Sequence, residues 1–126
     1  MIDVQPTLND KEVFDFIHNG YIILESIIDE DFNSKCQTLS PGHLTDFIQS
    51  RSFRQNVLLH PQVAGVARSL LGPNFTLPTS AHNHLYEHPH EGQTLHSDGL
   101  TESGYGITHL QCYYYPQLVE IEDGPT

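Results

Sequence analysis

The chain has 126 residues, close to the usual size of one domain, so one core is expected and a second independent domain is not. Sixteen acidic residues against five Lys plus Arg give a formal net charge of -11, which sets phosphate backbones and anionic membrane surfaces aside as partners. No apolar run could span a bilayer, and the opening MIDVQPTLNDKE lacks the basic region and apolar stretch of a secretory signal, so a cytoplasmic protein is expected.

The first predicted element is a short amphipathic helix. Asn9 suits an N-cap with Glu12 as its capping-box partner, Val13, Phe16 and Ile17 share a face, and Gly20 sits where a left-handed C-terminal residue belongs. Tyr21-Ile22-Ile23-Leu24 follows, a β-branched and aromatic run that reads as a strand. Asp29 then offers a cap for a helix through Phe32 toward Leu39. After a break at Ser40-Pro41-Gly42, the spacing of Leu44, Phe47, Ile48 and Arg51 predicts a further helix, with the polar Arg54-Gln55-Asn56 near its end.

His60-Pro61 starts the clearest element. Val63, Val66, Ala67, Leu70 and Leu71 form one stripe, and Gly72-Pro73 stops it, predicting a core-facing helix. From there the period changes to short β-prone runs at 74–77, 81–86, 93–96 and 107–115. The segment Gly99 to Gly106, rich in Gly and small polar residues, is expected to be a mobile flap. The last residues, Glu122-Asp123-Gly124-Pro125-Thr126, are a turn signal, from which continuation of the native product past Thr126 is expected.

Cys36 and Cys112 lie far apart without a Cys-rich framework, so neither a disulfide nor a zinc knuckle is expected, and Cys112 in the apolar run QCYYY reads as a small buried hydrophobe. Histidine is the unusual component. Six of nine, namely His82, His84, His88, His90, His96 and His109, fall in one stretch, which is where chemistry is expected. In His96-Ser97-Asp98, residues two apart in an extended segment face the same way, so one imidazole and one carboxylate can reach one metal ion. That is two thirds of the 2-His-1-carboxylate set that holds iron(II) and leaves positions open for a co-substrate and dioxygen. The same spacing equally allows a hydrogen-bonded His-Asp pair at a strand end, with Asp98-Gly99 opening a turn. The alternation in His82-Asn83-His84-Leu85-Tyr86-Glu87 also suggests a cupin-like metal site, or polar residues lining a strand, while His88-Pro89-His90 reads as loop. Tyr113 and Tyr115 share one side of their run and Tyr114 the other, so the outer pair is a candidate substrate-pocket wall or ordinary core.

The run Gln93-Thr94-Leu95-His96-Ser97-Asp98-Gly99 resembles the phytanoyl-CoA dioxygenase family strand that carries the first two iron ligands. Asn19-Gly20-Tyr21-Ile22-Ile23 resembles that family's opening, His60 to Gly72 its helix before the first barrel strands, and Tyr114-Tyr115-Pro116-Gln117 with 122–126 its later strand and turn. The resemblance covers nearly the whole chain in order. It implies an α+β, mainly β fold: helices over 1–73 buttressing a double-stranded β-helix, a cupin-like jelly roll, whose first strands occupy 74–126 and leave the barrel incomplete. It further implies an iron(II)- and 2-oxoglutarate-dependent dioxygenase acting with O2 on a small organic or acyl substrate, with His96 and Asp98 as iron ligands and Gln93 at a position that can contact 2-oxoglutarate. The family's second iron histidine and its 2-oxoglutarate arginine would fall beyond Thr126, so the chain alone is expected to bind iron weakly and to turn over nothing. A non-catalytic or degenerate relative acting as a binding module is the competing class.

Overall fold

The structure is a computed structural model, and it describes residues 3–77, 83, 94 and 106–121. Helix α1, Asp10–Asn19, is built by its own ends: the Asn9 side chain accepts from the Glu12 backbone N–H at 3.0 Å while the Glu12 carboxylate accepts from the Asn9 N–H at 2.8 Å. Gly20 closes it at φ 82°, a conformation without a Cβ penalty. Helix α2, Glu30–Thr38, starts at Asp29, whose carboxylate accepts from the Asp31 and Phe32 amides.

Helix α3, Pro41–Ile48, begins inside the expected break, because Pro at the first helical position needs no N–H and its φ is already helical. The polar run after it is not a frayed end. Ser50 caps a fresh turn by accepting from the Phe53 N–H, and α4, Arg51–Phe53, continues directly as a π-helical turn over Arg54–Leu58 that closes with Leu59 N–H to Arg54 O at 2.7 Å. Phe53 and Val57, four residues apart on this continuous turn, both face the same core. Helix α5, Pro61–Leu71, starts on His60, whose Nδ1 accepts from the Gln62 amide, and stops at Gly72, φ 82°.

The core is aromatic. Ile48, Phe53 and Val57 are buried, with Ile28, Phe32, Leu44, Phe47, Leu58 and Tyr114 packed around them. Phe32, Phe47 and Phe53 form a triangle with centroids 5.5 to 6.5 Å apart, and Tyr114 meets Phe53 edge-on at 5.6 Å, distances at which ring pairs add to simple burial. The Lys35 ammonium sits 4.9 Å above the Phe47 ring.

The buried face of α5 differs from the expected stripe. Ala64, Gly65 and Val66 are buried, while Val63, Ala67, Leu70 and Leu71 are only half-buried. The N-terminal segment causes this: Thr7 and Leu8 each donate a backbone N–H to Ser69 Oγ at 3.0 Å, and Ser69 donates to Gly65 O at 2.8 Å. The chain from Gln5 to Leu8 thus lies as a strap across α5.

The expected α+β, mainly β class with a double-stranded β-helix is overturned. The described residues contain these helices and no strand, sheet or barrel. Of the β-prone runs, Tyr21–Leu24, 74–77 and 107–115 carry no ladder, and 81–86 and 93–96 lie outside the described residues apart from Asn83 and Thr94. A strand exists only when another strand supplies its hydrogen bonds, so β propensity in the chain does not by itself make a sheet. Within 107–115, Tyr114 packs onto Phe53 and reaches Asn33 on α2. The expectation that Cys112 is buried is also corrected: it is exposed, and Cys36 on α2 is the buried thiol, at 3 % exposure.

Candidate functional site

Helices α2 and α3 present the surface on which the histidine-rich stretch is anchored at both described ends. At one end, Thr45 Oγ1 on α3 donates to Asn83 Oδ1 at 3.0 Å, fixing the residue between His82 and His84. At the other, Tyr114 Oη donates to Asn33 Oδ1 on α2 at 2.6 Å and lies 3.6 Å from Cys36 Sγ. The Asn33 amide is itself oriented by donating to Ile28 O. Two residues on, Pro116 O accepts from Gln37 Nε2 at 2.6 Å. Phe32 and Phe47 pack α2 against α3, so Asn83 and Tyr114 each meet the same helix pair.

Tyr114 is the central side chain of this attachment. Burial is the larger cause, and the neighbouring Cys36 thiol the smaller, that pushes its hydroxyl above the ordinary tyrosine range. Its role is anchoring: the ring is packed and the proton stays on the oxygen through the physiological range.

Tyr113 and Tyr115 are exposed, at 53 % and 50 %, on the side away from the core that Tyr114 joins. Tyr113 Oη donates to Gln111 Oε1 at 2.6 Å. They are available to a ligand and do not form an enclosed wall. His96, Asp98 and Gln93 lie outside the described residues, as do His84, His88, His90 and 99–105 of the expected flap. Among the described residues no group of three His, Cys, Asp or Glu side chains is placed to hold a metal ion. The described histidines are engaged elsewhere or open to solvent: His60 caps α5, His43 meets Ser40 Oγ at 3.1 Å, and His109 is exposed.

Sequence reasoning passed over Asn33, Cys36, Gln37 and Thr45. Only the pairing of a helix cap region with a distant Tyr-rich run could have pointed to them, and such pairing across about eighty residues leaves no local signal. Also among the described residues, no helix is long and apolar enough to cross a membrane. No family model, no curated protein and no solved structure matches this chain.

Proposed function

We propose that this protein is an iron(II)- and 2-oxoglutarate-dependent dioxygenase in which His96 and Asp98 supply two protein ligands to the metal. The observation that carries the reading is the His96-Ser97-Asp98 triplet, set in a chain whose Gly20-Tyr21, His60 to Gly72 and Gln93 to Gly99 segments follow the order of the phytanoyl-CoA dioxygenase family. The donor set suits the metal: imidazole nitrogen and carboxylate oxygen are the ligand types of open non-haem iron(II) sites. The reading does not depend on a jelly roll, only on an imidazole and a carboxylate two residues apart being held on the same side.

The chemistry such a site supplies is oxidative decarboxylation of 2-oxoglutarate to succinate coupled to hydroxylation of a small organic or acyl substrate. In this reading His96 and Asp98 bind and orient. Gln93 offers an amide to 2-oxoglutarate, and the exposed rings of Tyr113 and Tyr115 offer apolar area with a polar tip to the substrate. The same reading puts the protein in the cytoplasm, where the free thiols of Cys36 and Cys112 stay reduced.

The test is anaerobic iron(II) titration with and without 2-oxoglutarate, on the protein as its source makes it, followed by succinate assay in air. Binding that strengthens with 2-oxoglutarate and is lost in both His96→Ala and Asp98→Ala supports the proposal. Metal affinity unchanged in both variants would sink it and leave a non-catalytic binding module as the better reading.

A further inference from the structure

The Tyr21–Leu24 run borders an open groove of about 610 Å³ between α1 and α5. Phe16, Leu24 and Val66 give its apolar floor, and Glu12 and Asp15 its acidic wall; among the described residues no Lys, Arg or His lines it. The run itself has no regular secondary structure, and among the described residues no hydrogen bond pairs its backbone N–H and C=O groups. Tyr21 and Ile23 are 64 % and 68 % exposed, while Ile22 and Leu24 are half-buried, the one-in, one-out order of a strand edge.

An unpaired edge of β-branched residues beside an apolar trough is what strand addition uses: backbone bonds supply affinity and alternate side chains enter the trough. Charge selects the occupant. The Glu12 carboxylate keeps one oxygen outside its capping bond to Asn9, and Asp15 is held only by an exposed ion pair to Lys11, an interaction of little net worth that a partner's cation can replace. A second copy of a chain with net charge -11 would meet like charge at this edge.

We propose that this groove binds an extended segment of a partner protein in which apolar residues alternate with lysine or arginine, added as a strand along Tyr21–Leu24. The lining residues of the groove run from Thr7 to Val66 and include none of the proposed iron ligands, so the proposal does not rest on the dioxygenase reading.

Fluorescence anisotropy with a short labelled peptide of alternating Lys and Val, and a Glu-Val counterpart, tests it on the full chain. The Lys-Val peptide should bind, more weakly as salt rises. Ile23→Pro, which removes an edge donor at an exposed position, and Asp15→Lys, on the solvent side of α1, should each weaken binding by about tenfold or more, one 1.4 kcal/mol step. Thermal unfolding checks that both variants fold, and Asp15→Lys alone suffices should the proline variant not. Absence of binding, equal binding of the Glu-Val peptide, or affinity untouched by Asp15→Lys overturns the proposal. So does a concentration-dependent dimer that Ile23→Pro abolishes, which would give the edge to a second copy.

Discussion

Gly65 and Tyr114 show how much rests on single atoms in a molecule with a small core. A Cβ at Gly65 would stand 2.3 Å from Thr7 Cγ2, 2.7 Å from Thr7 Oγ1 and 3.0 Å from Gln5 O, so the strap can cross α5 only over a glycine. Gly65→Ala is expected to lift the strap and cost about 1–3 kcal/mol, the range of overpacking, seen as lower thermal stability and faster hydrogen exchange at the Thr7 and Leu8 amides. Gly42→Ala is the control: nothing lies within 4 Å, and the change should be neutral or stabilising by up to about 1 kcal/mol. Tyr114→Phe removes the hydroxyl bond to Asn33 and should cost about 1 kcal/mol at neutral pH. The hydroxyl's pKa is raised in the fold, by burial first and by Cys36 second, so the folded state favours the protonated form. That contribution is complete below the unfolded tyrosine value of about 10 and is lost as pH rises beyond it toward the folded value. The Tm of the native chain should therefore fall above about pH 10, and in Tyr114→Phe that slope should be shallower. An unchanged slope would mean that other groups govern alkaline unfolding.

At the scale of elements, the helices owe their limits to local chemistry. Asn9, Glu12 and Gly20 bound α1, Asp29 opens α2, and His60-Pro61 and Gly72 bound α5, each through bonds spanning three or four residues. Such signals are legible in the sequence because the partners are sequence neighbours. Asn9→Ala should cost about 1 kcal/mol by removing one side of the capping box. Ser26, at φ 53°, holds a left-handed conformation without being glycine, so Ser26→Gly should stabilise by up to about 1 kcal/mol in denaturant titration. The π-turn at 54–58 was not legible, because no residue type marks it.

For the whole molecule, the expectation that failed is the one that needed long-range pairing. Tyr21–Leu24 and 107–115 are β-prone without regular secondary structure, yet one borders an open groove and the other meets α2 through Tyr114, with Pro116 just beyond it accepting from Gln37. At this scale the dioxygenase proposal makes its prediction: loss of iron binding in both His96→Ala and Asp98→Ala with the helical signal in circular dichroism unchanged, because neither residue belongs to the described helices. A helical signal that collapses in either variant would instead give the triplet a structural task.

By itself the sequence determined where α1 and α5 start and stop, where α2 starts, the net charge of -11 and which residue types stand at His96 and Asp98. Those are properties of single residues or of neighbours within one helical turn. Only the tertiary structure decided that Tyr21–Leu24 and 107–115 would form no strand among the described residues, that Cys36 rather than Cys112 would be buried, that a strap would cross Gly65, and that Tyr114 would reach Asn33 eighty-one residues away. Each of these depends on which distant surfaces meet, and burial and pairing are rewarded only after the chain between them has been closed.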